Sequence, residues 1–119
     1  MTKNEIRDNI LLIRRIMDEK IGIDNPEAVL QKLSDMGNVL GLSGELVAHA
    51  KKYYNMKAKA IIGELFEMKT TDRKLKMDVE AMDEQYLIDE TTALNKDLHY
   101  SVEACRSMLS YLKQEMNKL

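Results

Sequence analysis

Apolar residues recur along nearly the whole chain at steps of three and four, the period of an amphipathic helix. Ile6, Ile10, Ile13, Met17 and Ile21 set the first such face and predict a helix over about residues 3–21. Thr2 and Glu5 have capping-box spacing at its start, and Gly22 is expected to end it in a left-handed conformation. Asp24 and Glu27 repeat the capping-box spacing, with Pro26 suited to a first turn whose donors have no partner. Val29, Leu30, Leu33, Met36 and Leu40 follow, predicting a second helix over 26–40 that stops at Gly41. Ser43 reads as the N-cap of a third, carried by Leu46, Val47, Ala50, Tyr54, Ala58, Ile61, Ile62 and Leu65 to about Met68. Thr70-Thr71-Asp72 offers capping side chains, and a break is expected there.

From Asp72 to Leu119 there is no Pro and no Gly. Leu75, Val79, Met82 and Tyr86 step four, three, four. Asp89, Glu90, Asn95 and Asp97 then interrupt the pattern. Leu98, Val102, Cys105, Leu109, Leu112, Met116 and Leu119 resume it as a regular heptad. One straight helix of this length would run about 72 Å at 1.5 Å per residue, longer than a compact domain of 119 residues. A bend between Asp89 and Asn95, or packing on another subunit, is expected to resolve this.

These patterns predict an all-α fold of one domain, residues 1–119. A helical head over 1–42 is made of two short helices, and a long helical hairpin with coiled-coil character spans 43–119. A head of that size leaves little chain to cover both long helices. The residues Leu98, Val102, Cys105, Leu109, Leu112 and Met116 are therefore expected to form the seam of a homo-oligomer, a dimer being the simplest. Composition agrees with helices: one Pro, five Gly, 5% aromatic residues and 45% apolar residues overall, a profile unlike that of sandwiches and barrels. With no Trp and one Phe, the core falls to Leu, Ile, Val and the nine Met, the last being flexible gap-fillers or an adaptable partner groove.

The net charge is only −2, but its distribution is uneven. Residues 51–76 carry eight basic and three acidic side chains, and residues 77–97 carry one basic and seven acidic. The plainer expectation is that the two blocks pair, within or between subunits, with Lys57 and Lys59 set beside Asp83 to Glu90 by a turn near Thr70. The alternative is a nucleic-acid surface, with Lys51, Lys52, Lys57 and Lys59 on phosphates and Tyr53 or Tyr54 stacked on bases.

Candidate chemistry is sparse. The single cysteine, Cys105, excludes an internal disulfide and a cysteine-based zinc site, and fits a reducing cytoplasm. His99 is six residues from it, off the helical line a thiol–imidazole pair would use. Glu45/His49 and His99/Glu103 are four apart, not the three of bundle metal motifs, so no metal or cofactor is expected. Gly41-Leu42-Ser43-Gly44 lacks the Lys-Ser/Thr of a phosphate loop. No apolar run reaches membrane-spanning length and no signal peptide is apparent, so neither membrane nor export is expected.

The stretch Arg106-Ser107-Met108-Leu109-Ser110-Tyr111-Leu112-Lys113-Gln114-Glu115 resembles the closing helix of small all-helical phage and prophage proteins. Many of these end on an Arg-Ser-x-x-Ser-x-x-Lys-x-Glu pattern. The resemblance implies an all-helical protein encoded among recombination and replication genes, and it assigns no functional residue. The sequence thus points to a non-enzymatic interaction or assembly protein with an unidentified protein partner, or to an accessory DNA-binding protein.

Overall fold

The computed structural model describes residues 1–22 and 24–118, and every regular element among them is a helix. These are α1 (Lys3–Asp18), α2 (Pro26–Asn38), α3 (Leu40–Leu65), α4 (Thr70–Glu80) and α5 (Met82–Asn117). The seam position at Leu119 lies outside the described residues.

Local chemistry explains the ends. Thr2 caps α1 by accepting the Glu5 amide at 3.1 Å, and its hydroxyl donates to the Glu5 carboxylate at 3.2 Å. Asn25, not Asp24, caps α2: its side-chain oxygen accepts from the Glu27 and Ala28 amides, and Pro26 occupies the first turn. Ser43 is not a cap. Helix α3 begins at Leu40, one residue after α2 gives way at Val39. The expected boundary between residues 42 and 43 therefore falls inside a helix. Among the described residues no glycine takes a positive φ, so Gly22 does not supply a left-handed stop to α1, which ends at Asp18. The expected break before Asp72 is present, but as a turn over Phe66–Met68. The Arg73 guanidinium donates to the carbonyls of Met68 and Phe66 there, at 2.8 and 3.2 Å, and no side chain caps α4.

No break occurs between Asp89 and Asn95, which lie within the continuous helix α5. The long C-terminal segment is interrupted instead at Ala81, where φ is −106° and ψ is 21°. The Ala81 amide still bonds to the Met77 carbonyl and the Gln85 amide to that of Ala81, so helical register passes through the joint.

Helix α5 is the spine. It packs against α3 along one side and against α2 and α1 elsewhere. Helices α3 and α5 run antiparallel: Ser43, near the start of α3, meets Asn95, while Glu64, near its end, meets Lys76 of α4 just beyond the turn. Helix α1 runs along α5 in the same direction, Lys3 meeting Glu84 and Arg14 meeting Asp97. The result is elongated, 74 × 25 × 18 Å. One core joins Ile6, Ile10 and Ile13 of α1, Val29 and Met36 of α2, Leu46 and Ala50 of α3, and Leu87, Leu94, Leu98, Val102 and Cys105 of α5. Met36 is fully buried, whereas Met82 and Met116 are exposed, so gap-filling accounts for only part of the methionine content.

Candidate functional site

The core corrects the seam. Leu98, Val102 and Cys105 are buried by the chain's own helices. A head made of two short helices does cover this stretch, because α1 and α2 both lie on α5. Leu109 and Leu112 are half-buried at the edge of the same core, and Met116 is exposed. The heptad from Leu98 to Cys105 therefore needs no second subunit.

The unpartnered apolar surface lies earlier. Leu75, Val79, Met82 and Tyr86, the four residues stepping four, three, four, are 64–68% exposed. Their helix packs on the chain through a different face, carrying Lys76 and Met77 of α4 and then Ala81, Glu84 and Leu87. Helix α4 buries no residue fully. At 100° per residue the exposed four fall on one line along α4 and the first turns of α5. Asp72 and Asp83 flank this stripe on one side, Asp78 and Asp89 on the other. All four carboxylates are exposed, and none forms an ion pair among the described residues.

A second open face lies on α3. Lys51, Lys52, Asn55, Met56 and Lys59 line one shallow depression on its outer side, and Ile62 and Phe66 continue the line toward the turn, Phe66 being 72% exposed. Among the described residues Lys51, Lys52 and Lys59 form no ion pair. The structure thus brings together three of the six residues proposed for nucleic-acid contact. The other three turn toward the chain's own packing. Tyr53 donates its hydroxyl to the Met1 carbonyl at 2.7 Å and has the Lys3 ammonium 5.6 Å from its ring centre. Tyr54 lines a groove with Met77, Ala81, Met82, Gln85 and Tyr86. Lys57 is half-buried, close enough to Glu84 to favour its charged form.

Of the expected pairing of Lys57 and Lys59 with the block Asp83–Glu90, only the approach of Lys57 to Glu84 is present, and neither lysine forms an ion pair among the described residues. Lys76 joins the two sides of the turn instead, 3.0 Å from Glu64 and 3.6 Å from Glu80. The Glu64 hydrogen bond and charge, with Glu80 behind them, hold its ammonium above the ordinary lysine range. Glu84 is buried, and Lys3 bonds its Oε1 at 3.2 Å while Oε2 has no hydrogen-bond partner among the described residues. Burial is the largest influence and pushes this carboxyl up. The Lys3 hydrogen bond, the helix backbone and the charges of Lys3 and Lys57 together outweigh it, and hold the group below the usual carboxylate range.

Glu45, His49, His99 and Glu103 are exposed or half-exposed, and no group of three metal-ligating side chains occurs among the described residues. No helix among them is long and apolar enough to cross a membrane. Comparison with protein-family models, curated proteins and solved structures found no match. The stripe was visible in the sequence as periodicity, but periodicity does not distinguish a face covered by its own chain from one left open.

Proposed function

We propose that the chain is a non-enzymatic helical assembly protein of phage or mobile-element type, working in a reducing cytoplasm and joining copies through the arm formed by α3, α4 and the start of α5. The observation that carries this reading is the exposed line Leu75, Val79, Met82 and Tyr86. A lone exposed apolar side chain is ordinary, but four in register on one helix face form a continuous apolar patch of the kind that marks association sites. Their four-three-four spacing suits a helical partner packing knobs into holes. The segment Leu109 to Met116 beyond the core gives a second, weaker apolar edge for a partner. Sedimentation equilibrium of the full chain at micromolar concentration tests the reading: a mass above the 13.7 kDa of one chain supports it, and a monomer throughout overturns it.

A second reading, accessory DNA binding, draws on the three lysines of the α3 outer face, which form no ion pair among the described residues. Three phosphate contacts on a duplex would give a log–log salt slope of about −2.7. Replacing Lys51, Lys52 and Lys59 by Gln should abolish that slope. No binding at about 50 mM salt, where phosphate contacts are strong, rules this reading out.

A further inference from the structure

We propose, on the basis of the assembly reading above, that the occupant of the acidic stripe is the basic outer face of α3 from a second copy of this chain, so that copies join head-to-tail. The two faces are complementary in kind. One carries Leu75, Val79, Met82 and Tyr86 between exposed aspartates. The other carries Met56, Ile62 and Phe66 with Lys51, Lys52 and Lys59, which form no ion pair among the described residues. They match in length: Lys51 to Phe66 spans about 22 Å of helix, and Asp72 to Asp89 about 26 Å.

Charge disfavours the symmetric alternatives. Stripe against stripe sets Asp72, Asp78, Asp83 and Asp89 against their own copies, and α3 face against α3 face does the same with the lysines. Like charges across an interface disfavour the contact. Only the crossed arrangement pairs both sets. It cannot form within one chain, because the residues of α3 that meet α5, such as Leu46 and Ala50, lie on the side opposite its lysines. A crossed contact is heterologous. Each added copy leaves one basic and one acidic face free at the ends, so growth continues into a ring or an open filament.

The test uses the full chain and two surface variants, with helical content and melting temperature checked against wild type. One variant carries K51E, K52E and K59E; the other carries D78K and D83K. Wild type should exceed the mass of a dimer at low salt, grow with concentration, and dissociate as salt rises. Each variant alone should be monomeric, since each keeps one usable face. Mixed one to one, they should associate again, because the acidic stripe of the first variant meets the basic α3 face of the second and the two reversed faces are of opposite charge as well. If the K51E/K52E/K59E variant self-associates like wild type, or the mixture stays monomeric, the crossed pairing is wrong while assembly itself stands. If wild type is monomeric at every salt concentration, the assembly reading fails with it.

Discussion

Asn95 donates its side-chain amide to the Ser43 hydroxyl at 2.9 Å across the α3–α5 interface. Ser43 is fully buried, and Thr91, one turn before Asn95, is also buried and bonds back to the Leu87 and Ile88 carbonyls at 2.8 and 3.1 Å. Of the polar residues that interrupt the heptad, Asn95 is therefore the one whose side chain bonds to α3 and fixes where it sits on α5. A slide of one turn would bury both groups unpaired, and a buried polar group without a partner is costly.

Ser43→Ala should lower stability by about 1–2 kcal/mol, the cost of stranding a partly buried amide. Asn95→Ala should cost a similar amount. The double variant should cost less than the sum of the two, because neither partner is then left alone. Denaturant midpoints with unchanged slope measure this. Strict additivity would show that the bond contributes nothing to register.

Glu84 makes stability pH-dependent in a direction that Lys3 sets. Its folded pKa lies below the ordinary 4.5, so its contribution is complete above the unfolded value and is lost as pH falls through the folded one. Wild type and Glu84→Gln should therefore differ most near neutral pH and converge as pH falls through the lowered folded pKa of Glu84. Lys3→Met removes the main counterweight to burial. The carboxyl should then rise above its ordinary value, and the variant should gain stability on mild acidification where wild type does not. At neutral pH the loss should be about 1–2 kcal/mol, below the 3–5 of a fully buried pair, because the Lys3 side chain keeps 35% of its surface in water. Thermal melts between pH 3.5 and 7 decide the sign.

The sequence made the helices legible because each apolar face carries its period openly: Ile6, Ile10 and Ile13 are buried, as are Leu98, Val102 and Cys105. What it left obscure was which faces meet. Leu75–Tyr86 and Leu98–Cys105 have nearly the same spacing, yet one is open and the other is core. The difference is which face of the helix the rest of the chain covers: Leu98, Val102 and Cys105 continue the face of Ala81, Glu84 and Leu87, which is buried, while Leu75, Val79, Met82 and Tyr86 lie on the opposite one. Ser43 was misleading for a related reason. A serine between two glycines favours a cap, but tertiary packing carries α3 back to Leu40 and uses the hydroxyl for Asn95. The basic face of α3 was legible as a charge block, while the inward turn of Lys57 and the anchoring of Tyr53 to the Met1 carbonyl depend on the folded N-terminus.

Gly44 lies inside α3, is exposed, and a Cβ added there meets nothing within 4 Å. Gly44→Ala should raise stability by about 0.5–1 kcal/mol by reducing the freedom of the unfolded chain and favouring helix. A fall in melting temperature would mean that this stretch of α3 is packed more closely than the structure shows.

Leucines of equivalent spacing divide between core and open surface. Leu98 is fully buried, Leu109 half-buried and Leu75 64% exposed. Leu98→Ala leaves a cavity in a region packed by three helices and should cost about 2–5 kcal/mol of chain stability. Leu75→Ala removes a side chain already in water and should stay within about 0.5 kcal/mol, measured by urea unfolding at a concentration where the chain is monomeric. Leu109→Ala should fall between them. Assembly should follow the reverse order: Leu75→Ala should weaken it most directly, since the lost methyl groups lie in the stripe, while Leu98→Ala should affect it only once the fold itself fails. Equal unfolding costs for Leu75 and Leu98 would mean that the stripe is covered within one chain, and the surface on which the assembly reading rests would be gone.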